Sequence, residues 1–176
     1  MNSAEQARTI VRDALNAAAA SWGSEALESR PSWKPQTLIK AIMDAQGHHK
    51  VPAALDEYWR LAGARDGLWQ EFARCGGFSA NEALSARMLA IETALASGSD
   101  WHTFRYGEPV LVFQFLAGGE ALWVECDSDA REIDHDPPVW LLTEEPGKGP
   151  QLVADSFSEY LQKMIDSETR IRKPLG

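Results

Sequence analysis

Between Glu120 and Glu145 the sequence carries nine carboxylates, Glu120, Glu125, Asp127, Asp129, Glu132, Asp134, Asp136, Glu144 and Glu145, against the single base Arg131. Nine acids less one base leave −8, nearly the whole-chain net charge of −9. The charge is therefore concentrated in one stretch. Its centre, Asp127 to Asp136, has no apolar period and reads as a loop, so its acids form either an anionic recognition surface or a solvated connection beside a sheet. On the first reading Asp127, Asp129, Glu132, Asp134 and Asp136 are the residues that meet a partner.

Other residues capable of chemistry are few and scattered. Asp127-Ser128-Asp129 opens like a calcium loop, but an EF-hand wants oxygen ligands at the fifth and twelfth places and glycine at the sixth. Those places hold Arg131, Pro138 and Glu132. The histidines, His48, His49, His102 and His135, pair in sequence with no Cys, Ser or acid pattern of a nucleophilic or zinc motif. His135 between Asp134 and Asp136 reads as a solvated ring. Cys75 and Cys126 belong to no CxxC, and a chain kept inside a cell holds both reduced. Gly118-Gly119 follows one strand and leads into another, so it is a turn and not a phosphate loop. No catalytic residue, metal or cofactor is expected. An enzyme whose site assembles only in space is the competing class.

Composition narrows the field further. A length of 176 residues with 44% apolar and 24% charged residues describes a folded globular chain. A net charge of −9 and pI near 4.9 oppose a nucleic-acid partner, because phosphate binding rests on Lys/Arg clusters. No run of roughly 18 apolar residues marks a membrane span, and Met1-Asn2-Ser3-Ala4-Glu5-Gln6 lacks the basic and apolar parts of a secretion signal. A cytoplasmic location is expected. Among seven tryptophans, Trp59, Trp123 and Trp140 lie in regular elements and read as packing, whereas Trp33 and Trp101 fall in loops and are the aromatic candidates for partner contact.

The elements that must position these residues follow from caps and periodicity. Ser3-Ala4-Glu5-Gln6 is a capping box, and Ala7, Ile10, Val11, Ala14, Leu15 and Ala18 follow at helical spacing as far as Gly23. Leu38, Ile39, Ile42 and Met43 continue a helical stripe that stops at Gly47. Pro52 starts a helix carrying Leu55, Tyr58, Trp59 and Ala62. Two more helical stretches, one with Leu68, Trp69 and Phe72 and one capped by Ser79-Ala80-Asn81-Glu82, fill the chain to Gly98. Val110 to Leu116, Ala121 to Val124 and Pro138 to Leu142 are β-rich runs, the first two joined at Gly118-Gly119. Ser156-Phe157-Ser158-Glu159 caps a closing helix through Ile165, with loss of periodicity after Asp166. Helices, then a sheet, then a helix give an α+β fold in a single domain over residues 1–176.

Three segments in this order, Val51-Pro52-Ala53-Ala54-Leu55-Asp56-Glu57-Tyr58-Trp59-Arg60-Leu61-Ala62-Gly63, then Gly118-Gly119 leading to Val124-Glu125-Cys126-Asp127, then Asp136-Pro137-Pro138-Val139-Trp140, resemble the SUKH superfamily. The closing Leu152-Val153-Ala154-Asp155-Ser156-Phe157-Ser158-Glu159-Tyr160-Leu161 resembles that superfamily's strand-then-helix ending. The resemblance covers residues 36–165, with 66–100 a helical elaboration outside it. Ala62 stands before Gly63 where members commonly carry Asn. The superfamily holds Smi/Knr-type cell-wall assembly regulators and bacterial immunity proteins that neutralise polymorphic toxins. The resemblance implies a mixed, mostly antiparallel sheet packed against helices, and a non-catalytic protein-binding role. For an immunity protein the partner is a toxin domain, and a basic nuclease surface complements an acidic inhibitor. The alternative is a Smi/Knr-type regulatory scaffold.

Overall fold

The computed structural model describes residues 3–21, 39–40, 43–44, 46–62, 110–115, 121–142 and 150–172. Expectations for Trp33, Trp101, the Gly118-Gly119 turn and the 66–100 elaboration lie outside them. Among the described residues no helix is long and apolar enough to cross a membrane.

Helix α1 spans Ala4–Ser21. The Ser3 hydroxyl accepts the Gln6 N–H at 3.2 Å and the Ser3 carbonyl accepts that of Ala7 at 3.0 Å, so the cap read from the sequence forms. Ala7, Val11, Leu15 and Ala18 make its buried stripe. Helix α2, Ala53–Ala62, packs against α1. It is buried around most of its circumference, with Asp56 and Glu57 inside alongside Leu55, Tyr58 and Trp59.

Those two acids need compensation, since an isolated carboxylate out of water costs several kcal/mol. Arg8 Nη1 lies 2.6 Å from Asp56 Oδ2 and 3.3 Å from Glu57 Oε2. Arg12 adds contacts of 2.9 and 2.8 Å to Glu57 Oε1, and Arg60 Nε reaches Asp56 Oδ1 at 3.0 Å. Three arginines on two helices thus neutralise two carboxylates and fix α1 against α2.

The sheet contains β1 Val110–Phe115, β2 Ala121–Glu125, β3 Val139–Leu142 and β4 Gln151–Ala154, in the order β1-β2-β3-β4. The fold is α+β as expected, and every described strand pairing is antiparallel. Register places Leu111, Val124, Val139 and Ala154 in one cross-strand row facing the helices. A second row, Val112, Trp123, Trp140 and Leu152, lies on the opposite face. Within that row Trp123 and Trp140 stack at 5.7 Å, with Trp123 buried and Trp140 half-buried, so the packing role read for both holds. The fourth strand was implied only by the SUKH-like ending, because four residues with one inward side chain carry little period of their own.

Helix α3, Phe157–Arg172, closes the core. Phe157 meets Phe113 of β1 edge-on at 5.4 Å and Tyr58 of α2 at 5.6 Å, joining α3 to the sheet and to α2. The helix continues past Asp166, where the apolar period ends. Good helix formers such as Arg170 extend it, and the Thr169 hydroxyl donates back to the Ile165 carbonyl at 2.8 Å. Periodicity reports the buried face of a helix, not its length.

Candidate functional site

The acidic stretch runs as a loop from Cys126 to Pro138 between β2 and β3. Asp127, Asp129, Glu132 and Asp134 are exposed. Two of them also shape the backbone: Asp127 Oδ1 accepts the Asp129 N–H at 3.1 Å, and Asp134 Oδ1 accepts that of Asp136 at 3.0 Å. These are Asx turns, in which a short carboxylate substitutes for a backbone acceptor.

Asp136 behaves differently from its neighbours, and its grouping with the partner-facing acids is revised accordingly. It is buried, and its carboxylate receives the Ser158 N–H at 2.8 Å and the Ser158 hydroxyl at 2.6 Å. Ser158 is the second residue of α3, so Asp136 caps that helix from a distance while Ser156 Oγ accepts the Glu159 N–H at 3.1 Å. The Glu159 side chain returns to the N–H of Asp155 at 2.8 Å, one residue before the position a capping box predicts. That bond and the ion pair with Lys163 hold the Glu159 carboxyl below its ordinary range, the lysine contact being the larger influence. Sequence grouped Asp136 with the loop because a charge count is blind to direction.

The loop is fastened at three further points. The Ala54 N–H, in the first turn of α2, donates to the His135 carbonyl at 2.9 Å. Lys50 Nζ donates to the Ala130 carbonyl at 2.8 Å. The third point is Ser128, 5% exposed, whose hydroxyl lies 3.3 Å from the backbone nitrogens of both His49 and Lys50 and 3.1 Å from His48 Nδ1. The loop therefore meets the N-terminal ends of two helices, where unpaired N–H groups and the helix dipole favour acceptors and negative charge.

Local sequence delivers His48 to this place. Helical backbone at residues 43–44 ends with the Gly47 N–H bonding the Asp44 carbonyl and the His48 N–H bonding the Met43 carbonyl, while Gly47 takes a φ of 75°. That is a Schellman stop, for which glycine's positive φ is required. It turns Gln46 and His48 towards the outer edge of β1. The Gln46 amide exchanges two hydrogen bonds with Val112, at 2.7 and 2.8 Å, as a neighbouring strand would, and His48 Nε2 donates to the Val110 carbonyl at 2.8 Å. The β1 edge is occupied from within. Gln46 and Lys50 were not singled out by sequence, His48 and Ser128 were met there only among the histidines and in the rejected calcium loop, and the available signal, Gly47 followed by His48, marks only the stop.

The Ser128 and His48 side chains sit as a nucleophile and base would, yet both are buried and the Ser128 oxygen already faces two backbone donors. A nucleophile needs access and a free lone pair. Cys126 Sγ donates to the Lys50 carbonyl at 3.0 Å, and burial pushes its thiol above the ordinary value, which makes it inert. Among the described residues no group of three or more His, Cys, Asp or Glu could hold a metal ion.

Comparison with family models, with curated proteins and with solved structures finds no match in any of the three.

Proposed function

We propose that the chain is a non-catalytic protein-binding module that presents the 126–138 loop to a basic surface on another protein inside the cell. The observation that carries this reading is the contrast within the loop: its backbone is fastened by Ser128, His135, Lys50 and Asp136, while Asp127, Asp129, Glu132 and Asp134 face solvent. A surface held in one shape before contact loses less entropy on binding. Clustered exposed charge attracts an oppositely charged partner over a Debye length of about 10 Å at 0.1 M salt. The resemblance to SUKH immunity proteins supports a toxin domain as that partner.

The test is to recover the partner by pull-down from the native cell at near-physiological salt and then measure association with the wild type and with D127N/D129N/E132Q/D134N. Asparagine keeps the Asx-turn oxygens of residues 127 and 134 while removing charge. Association about tenfold slower and less dependent on salt is expected. Equal rates and equal salt dependence would show that recognition lies elsewhere. A partner encoded beside the chain as a large secreted protein with a variable C-terminal domain would separate immunity from a regulatory role.

A further inference from the structure

The hydrogen-bond count around Ser128 has a consequence for pH. A serine hydroxyl offers two lone pairs and one proton. The N–H groups of His49 and Lys50 both reach Oγ at 3.3 Å and take the lone pairs. The proton goes to His48 Nδ1 at 3.1 Å, the nearer of its two acceptors, whereas the Lys50 carbonyl at 3.3 Å is also supplied by Cys126 Sγ–H. On the other side of the ring Nε2 faces the Val110 carbonyl at 2.8 Å, an acceptor only, so Nε2 carries the proton of the neutral imidazole and Nδ1 is free to accept. Every group in the cluster is satisfied with His48 neutral. Protonation would turn Nδ1 into a third donor aimed at an oxygen with no lone pair left.

We propose that the His48–Ser128 contact is a pH-sensitive latch, which fastens the Ser128 end of the acidic loop to segment 46–50 and the β1 edge while the imidazole is neutral and frees that end when His48 is protonated. Among the described residues the ionisable groups around the ring are His49 and Lys50 on its own segment and Cys126, Asp127 and Asp129 on the loop, while β1 offers it a backbone carbonyl. Burial holds His48 below its ordinary value of 6.5; the Val110 bond and the attraction of Asp127 and Asp129 oppose this, and His49 adds to it. With the folded value below the unfolded one, the unfolded chain takes up the proton first. The latch then contributes fully above about pH 6.5 and is lost as pH falls from there through the folded value. The latch is a property of the loop whether or not the loop binds a partner, and its test reads the loop directly.

The experiment is an NMR titration of the full chain from about pH 8 to about pH 5, following the His48 Cε1–H and the backbone amides of residues 49, 50 and 127–136. His48 should titrate below 6.5. With the same midpoint, hydrogen exchange at the His49 and Lys50 amides should rise about tenfold relative to its intrinsic rate, while α1 amides hold. In Ser128→Ala the loop should be loose at every pH and show no such midpoint; should that variant not fold, coincidence of the two midpoints in the wild type remains decisive. A His48 midpoint at or above the ordinary value, or loop amides indifferent to His48 protonation, overturns the latch. So does a His48→Gln protein that keeps the wild-type loop transition, since the transition would then belong to the carboxylates or to another histidine.

Discussion

Asp56 and Glu57 on α2 and Asp127, Asp129, Glu132 and Asp134 on the loop carry the same charge in opposite surroundings. The helix pair is buried and held by Arg8, Arg12 and Arg60 at 2.6 to 3.3 Å. The loop group is exposed, and the His49 ring lies 3.9 Å from Asp129. In the first group the cost of removing charge from water is offset by Arg8 and Arg12 of α1 and by Arg60 of α2 itself, so the acids serve the fold. In the second no such cost arises, and little folding energy depends on the side-chain charge. Concentrated charge that the fold neither needs nor neutralises is available for recognition. Asp136 lies in the loop by sequence and with the first group by physics.

That division can be broken by mutation, and an apolar reference sets the scale. Phe157→Ala should destabilise by about 3–5 kcal/mol in denaturant unfolding, because a fully buried ring touching Phe113 and Tyr58 leaves a cavity. A loss below about 1 kcal/mol would mean that α3 does not dock as described. Arg8→Ala should cost about 2–3 kcal/mol, since it strands the Asp56 carboxylate, 4% exposed, with Arg60 alone. Were the cost negligible, the α2 acids would be no different in kind from those on the loop.

Asp136→Ala is the intermediate case, with an expected loss of about 1–2 kcal/mol as the Ser158 N–H and hydroxyl lose their acceptor at the start of α3. An unchanged unfolding midpoint would return Asp136 to the solvent-facing acids. D127N/D129N/E132Q/D134N should shift stability by no more than about 0.5 kcal/mol while slowing partner association about tenfold. A large loss of stability there would erase the distinction between the two groups. Stability measured against pH sharpens it from another side: wild type should lose stability as pH falls below about 6.5, and Ser128→Ala should lose less over the same window.

Much of the architecture was written locally. Ser3, Ser156 and Gly47 act within a few residues of themselves, through a hydroxyl that reaches the third N–H or a φ that only glycine takes easily, so their spacing in the chain is already their geometry. The runs that became β1, β2 and β3 likewise declare themselves by β-branched and aromatic residues. Charge density between Glu120 and Glu145 is also a property of composition, and it located the loop.

Which acid faces water was settled only by tertiary contacts. Asp136 and Ser158 are 22 positions apart, His48 and Ser128 are 80 apart, and Gln46 and Val112 are 66 apart. No propensity or period spans such separations, because the energy of each pair depends on two elements arriving at hydrogen-bond distance out of water. The number and sign of the charges, and the local turns that carry them, follow from composition and short-range spacing alone. The packing of α2, α3 and segment 46–50 against the loop decided that Asp136 would cap a helix, that Ser128 would anchor the chain, and that four carboxylates would be left in solvent.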